Sequence, residues 1–243
     1  MDYQRLLAGR SAIVTGGVGS VGRTVALLYA RHGANVVVLD EDEVEVEKIV
    51  QELRDINQKC SGFAGNLRDP ESIVQLCNHA INALGTADIL VNAAGTYLSG
   101  DAETLEEDDF IAMIDWNVNS TIRFTKAIIP YMCDNRQGDI INITSDLATA
   151  SLPGTAGIAA CAGAVLAFTR SVTMDYIRYR VRANCIVYPL DGIEGRRPLT
   201  GAPAPEDVAN AALWYACKMS RFIIGDMLPV NGGMDYFAGM RGE

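Results

Sequence analysis

The chain has 243 residues, 49% of them hydrophobic, and a formal net charge of −10 at pH 7. That apolar content suffices for a large core, and with no Pro/Ser tract, low-complexity run or internal repeat the chain reads as one domain over residues 1–243. The acidic balance, without an evident basic patch, speaks against nucleic acid and anionic membrane surfaces as partners, and no apolar run approaches the roughly 18 residues of a membrane span.

Six cysteines (Cys60, Cys77, Cys133, Cys161, Cys185, Cys217) occur singly, with no C-x-x-C. This is reduced, cytoplasmic usage rather than a disulfide frame or a zinc site, and no metal is expected. Residues 1–5 lack a basic flank running into an apolar stretch, so no signal peptide is expected.

Short apolar runs alternate with helical patterns along the chain. Residues 11–15 read as a strand, followed by a Gly-rich turn and a helix over 20–32 that Gly33 stops. Residues 35–40 are a near-continuous Val run, as a strand covered on both faces should be. A helix over 44–57, a strand over 59–64, a helix over 70–84 and a strand over 88–92 follow. Residues 105–133 form a long helical stretch in which Pro130 forces a bend or an end. A strand over 139–144, a helix over 155–179, a strand over 181–187, a helix over 205–218 and a strand over 226–230 complete the pattern. This alternation predicts an α/β fold: one doubly wound Rossmann domain, with a parallel sheet of about seven strands and helices on both faces.

The turn after the first strand reads Thr15-Gly16-Gly17-Val18-Gly19-Ser20-Val21-Gly22. Glycines there permit a tight turn and let the backbone approach a pyrophosphate at a helix N-terminus. The alternative is a tight turn with no ligand. Asp40 ends the second strand 18 residues after Gly22. A carboxylate there accepts from ribose hydroxyls and repels a 2′-phosphate, which favours NAD over NADP. The acidic run from Glu41 to Glu47 reads as a solvated helix start that suits the helix dipole.

Taken together, these motifs resemble the short-chain dehydrogenase/reductase family along nearly the whole chain. The turn is similar to that family's T-G-x-x-x-G-x-G: Thr15, Gly16 and Gly22 match, while Ser20 replaces the middle Gly and Gly19 precedes it. Val91-Asn92-Ala93-Ala94-Gly95 resembles its N-N-A-G motif, with Ala93 for the second Asn. Asn66 stands where the family has an Asp near the adenine, Asn117 matches its helix Asn, and the run from Ile141 to Ser145 matches the strand that delivers its active-site Ser. Gly225 to Gly233 resembles its last strand. The resemblance implies that Gly16, Gly19, Val21, Gly22, Asp40, Asn66, Leu67, Asn92, Ala93 and Gly95 line an NAD.

The resemblance also implies a Tyr 13 residues after the Ser as general acid–base, and a Lys four residues further to lower its pKa and hold the nicotinamide ribose; those positions read Ile158 and Ala162. A free phenol titrates near pH 10 and needs a nearby cation to work at neutral pH. No Tyr occurs between Tyr131 and Tyr176, so no slip of register restores it. Ser145 and Asn117 are the catalytic remnants. The run from Asn184 to Leu190 also lacks the family's Pro-Gly, and only residues 191–204 remain for a substrate-covering loop. Tyr97, Tyr188 and Lys126 are candidate substitutes for the proton donor, though packing or surface roles suit them better. His32, His79 and Asp146 read as structural.

Two losses in the acid–base pair and one in the covering loop, beside a preserved scaffold, suggest a non-catalytic subunit. In the family, subunits pair through the two long helices, and the second here is rich in small residues (Ala156, Gly157, Ala159, Ala160, Ala162, Gly163, Ala164, Ala167). The expected partner is an active homologous short-chain dehydrogenase in a hetero- or homo-tetramer. That partner would oxidise a hydroxyl or reduce a carbonyl, on a CoA thioester in the system the chain resembles. NAD binding is expected to be weakened or lost. Two alternatives stay open: an active NAD-dependent oxidoreductase with unconventional residues, and an NAD-responsive regulatory protein.

Overall fold

A computed structural model of the protein describes residues 4–189 and 201–234. Seven parallel strands form one sheet in the order β3-β2-β1-β4-β5-β6-β7. They are β1 (Ser11–Thr15), β2 (Asn35–Asp40), β3 (Ser61–Ala64), β4 (Ile89–Asn92), β5 (Gly138–Ser145), β6 (Val181–Tyr188) and β7 (Met227–Pro229). The helices are α1 (Ser20–Arg31), α2 (Glu43–Ile56), α3 (Pro70–Leu84), α4 (Glu107–Ile114), α5 (Ser120–Asn135), α6 (Ala156–Tyr176) and α7 (Pro205–Ala216). This is the single-domain Rossmann arrangement that the alternation predicts.

The two-residue period of the strands sorts the core. Ala12, Val14, Val36 and Val38 face a cluster that includes residues of α1, α2 and α7. Ile13, Val37 and Leu39 face the opposite cluster, with residues of α3, α5 and α6. Strand order reverses between β1 and β4, which opens a crevice at their carboxyl ends, where ligands bind in such sheets.

Local chemistry sets the helix ends. Asp42 caps α2 by accepting from the Val44 and Glu45 N–H groups, and Asp69 caps α3 by accepting from Ser72 N–H. The long helical stretch over 105–133 is a correction: a π-helical turn at Asp115–Asn119 divides α4 from α5. Pro130 does not end the helix, which runs on to Asn135.

Contrary to the expectation that no apolar run approaches a membrane span, the 24-residue segment Ala156–Tyr179 is long and apolar enough to cross one by length and composition. Half of its most apolar 18-residue window is buried inside the fold, where Ile158, Cys161, Val165, Leu166 and Val172 join the core.

At the amino edge of the sheet, Asp139 is held between two guanidinium groups. Arg10 Nη1 donates to its Oδ2 at 2.7 Å, and Arg182 Nε to its Oδ1 at 2.8 Å. The same two arginines donate to the carbonyls of Asp88, Tyr215, Ala216 and Ile223, tying three further chain segments to those of Arg10, Asp139 and Arg182.

Candidate active site

The glycine turn is fixed by the protein's own backbone. A Cβ on Gly22 would lie 2.1 Å from the Gly16 carbonyl oxygen, and one on Gly16 would lie 2.6 Å from the Ala94 nitrogen. Gly16 also has φ +67°, a conformation that favours glycine. Gly19 differs: a Cβ there would meet only Gly16 O, at 3.4 Å. Its exposed backbone opens α1, so the cradle leaves room for a pyrophosphate at the helix N-terminus. Val21 turns its side chain into the core.

Asp40 braces this turn. Its Oδ2 accepts from Val18 N–H at 3.0 Å and its Oδ1 from Glu41 N–H at 2.8 Å. Each oxygen keeps a second acceptor site, so a ribose hydroxyl can still be received.

Glu41 is exposed, as expected of the acidic run, but it is also engaged. Its Oε1 accepts from the Leu67 N–H at 3.0 Å, with Arg68 Nε 3.8 Å away. Arg68 in turn stacks over Trp116, 5.0 Å from the ring centroid. Asn66 turns its Oδ1 back to the N–H groups of Arg68 and Asp69. The two groups assigned to the adenine end, Asn66 and Leu67, are therefore each engaged by the protein itself. A sequence clue for Glu41 exists only in its adjacency to Asp40.

Asn92 spends its side chain inside the fold. Its side chain is buried, and its Nδ2 donates to Asn142 Oδ1 at 2.8 Å; Asn142 Nδ2 in turn donates to Thr169 Oγ1 at 2.8 Å. It ties β4 to β5 and, through Thr169, to α6 rather than lining the crevice. Ala93 and Gly95 do line it, and Ala93 N–H donates to Thr15 Oγ1 at 3.3 Å.

At the reaction end a cavity of about 310 Å³ brings together Gly95, Tyr97, Asn117, Ser145, Ile158 and Tyr188. Ser145 is only 1% exposed, and its Oγ accepts from Leu147 N–H at 3.2 Å. Asn117, inside the π-helical turn, donates through Nδ2 to the carbonyls of Thr96 and Met113, both at 2.8 Å. Tyr97 donates its hydroxyl to Gly154 O at 3.2 Å. Ile158 is 1% exposed and packs with Met113, Leu147, Cys161 and Val165, while Ala162 is wholly buried.

No lysine, arginine or carboxylate lines this cavity among the described residues. The Tyr97 and Tyr188 phenols face this cavity, where proton transfer at neutral pH calls for a nearby cation. Lys126 lies exposed on α5, outside the cavity. Cys161, beside Ile158, is pushed up to about 11 by burial and is held as a neutral thiol. His79 packs against Phe63, and His32 ends α1. Asp146 is buried and starts a short 3₁₀ turn that Ser145 caps. The covering loop lies mostly outside the described residues.

Residues 10–190 match the sequence profile of the short chain dehydrogenase family. The chain belongs to that family. Among its relatives, the oxidoreductase UcpA of Salmonella typhimurium is 32% identical over 252 residues, covering 93% of this chain and 95% of that one. The (2S)-[(R)-hydroxy(phenyl)methyl]succinyl-CoA dehydrogenase subunit BbsD of Thauera aromatica is 30% identical over 247 residues, covering 96% and 99%. A short-chain dehydrogenase/reductase structure from Burkholderia xenovorans superposes with a TM-score of 0.88 at 26% identity, covering 95% of this chain and 98% of that one. The short-chain dehydrogenase scaffold is thus complete across the described strands, and oxidoreductases are its relatives.

Proposed function

We propose that this short-chain dehydrogenase is a non-catalytic subunit that partners an active, homologous NAD-dependent dehydrogenase. One observation carries the reading: Ile158 and Ala162, at the acid–base positions, are both buried, so hydrocarbon stands where the proton-transferring groups would be. Losing a positioned acid–base costs about 10²–10⁴-fold in rate, and among the described residues no lysine or arginine lines the cavity to activate a substitute. Assembly is supported by α6, whose Ala156, Ala160, Ala164 and Ala167 remain exposed on the isolated chain. The Thauera aromatica relative is itself named as a subunit, of an enzyme acting on a succinyl-CoA derivative. We extend that substrate class, a hydroxyl or carbonyl on a CoA thioester, to the active partner.

NAD binding is weakened in this reading. The pyrophosphate cradle fits the dinucleotide, but Leu67 N–H is taken by Glu41 and no cation stands at 162 for the nicotinamide ribose. When bound, NAD supplies the hydride acceptor, and the residues available to hold it are those of the glycine turn and Asp40. A cytoplasmic location belongs to the same reading, supported by six free thiols.

The test is to purify the chain alone and assay NADH oxidation over a panel of carbonyl compounds, then to co-express it with a homologous active dehydrogenase. No turnover alone and co-purification with the homologue are expected. Turnover that disappears in Ser145→Ala would sink the proposal.

A further inference from the structure

The sequence shows no basic patch, but the fold builds one at the amino edge of the sheet. Arg5, Arg10, Arg180, Arg182, Lys218 and Arg221 line one cavity of about 700 Å³. They come from three separate stretches (5–10, 180–182 and 218–221) of a chain whose net charge is −10. Asp139 is the lone carboxylate among the lining residues.

The charges divide into two sets. Arg10 and Arg182 are consumed by Asp139 and by backbone carbonyls. Arg5, Arg180, Lys218 and Arg221 are exposed and form no ion pair among the described residues. The carboxyl ends of α6 and α7 point toward this edge, and a helix dipole there favours a cation. Each dipole end amounts to roughly half a charge, so two of them do not account for four cations without an ion-pair partner, although Arg221 also lies 5.2 Å over the Phe222 ring. Beside the charges, Ile177 and Met219 expose apolar side chains to the same cavity.

We propose that this cavity binds a small organic polyphosphate. Guanidinium forks suit phosphate oxygens, the exposed apolar wall suits an organic body, and the volume falls within the range of small-molecule sites. The site lies at the opposite edge of the sheet from the dinucleotide crevice, and the proposal stands whether or not the chain is catalytic.

The test is isothermal titration of the full chain with ATP and, separately, with inorganic tripolyphosphate. Both bind, ATP more tightly, and both weaken as salt is raised. Lys218→Glu with Arg221→Glu lowers ATP affinity at least tenfold, while Lys126→Glu, outside the cavity, changes it less than twofold. Arg221→Gln alone lowers it about threefold, which preserves the test should the double variant fail to fold. Absence of binding at millimolar ATP overturns the proposal. So does ATP binding that survives the double charge reversal, because that places the nucleotide elsewhere.

Discussion

The nucleotide turn and the reaction end lie along one edge of one sheet, yet they have fared differently. The turn between β1 and α1 keeps Gly16 and Gly22 because the protein's own backbone would collide with any side chain there. Its geometry is a folding requirement before it is a binding one. The reaction end has no such constraint. A Tyr and a Lys in a catalytic site are costly to stability and are retained only by chemistry. Once chemistry is no longer selected, buried aliphatic residues are the stable occupants, and Ile158 contributes roughly 1.5–3 kcal/mol by its burial. Persistence of a fingerprint motif is therefore weaker evidence for cofactor use than loss of an acid–base pair is for loss of turnover.

The largest expected effect comes from reversing that loss. Ile158→Tyr with Ala162→Lys places an amine at a wholly buried position. A charge buried without a partner costs about 3–5 kcal/mol. Urea unfolding should show a loss of that order, and no NADH oxidation should appear. Turnover within tenfold of a related dehydrogenase would break the comparison, since it would mean the scaffold still holds a working site.

Gly22→Ala should follow closely. Its Cβ would lie 2.1 Å from the Gly16 carbonyl oxygen, so the turn must open. Overpacking of this kind costs about 1–3 kcal/mol. A shift of the denaturation midpoint by that amount, in protein that has never met a nucleotide, would show that the turn is retained by folding alone.

How much of this was legible beforehand follows from range. The strands and most helices are set by short-range pattern, and Asp42, Asp69 and Gly85 mark helix ends by local chemistry. Ile158 and Ala162 were legible because they are substitutions within a recognisable register. The π-helical turn was not, because no residue in Asp115–Asn119 carries a signal distinct from ordinary helix. Neither was Glu41, whose partner Leu67 lies 26 positions away. The tie made by Asn92 was not legible either: its motif suggests the crevice, whereas its amide is spent on Asn142. The amino-edge cations escaped notice because they are clustered only in space.

A smaller effect is expected at the adenine end. Glu41→Ala frees the Leu67 N–H and removes a negative charge from the nucleotide's path. One hydrogen bond is worth about 1 kcal/mol net, roughly fivefold in affinity. Titration with AMP should show tightening of that size, with stability altered by less than about 1 kcal/mol. An unchanged AMP affinity would remove Glu41 from the account and leave only the missing cation at 162 to support the proposed weakening of NAD binding.

The smallest expected effect, at Gly19, separates folding from binding within the turn itself. Gly19 has φ −65° and ψ 157°, which any residue adopts, and its Cβ would make only a 3.4 Å contact. Gly19→Ala should therefore leave stability within about 0.5 kcal/mol, unlike Gly22→Ala. Its one consequence lies outside the protein, because the added methyl stands where a pyrophosphate approaches the first turn of α1. A severalfold loss of NADH affinity at unchanged stability would show that the cradle still serves a ligand. Equal affinity in the two proteins would mean that the fingerprint survives for the backbone alone, with no nucleotide left for it to hold.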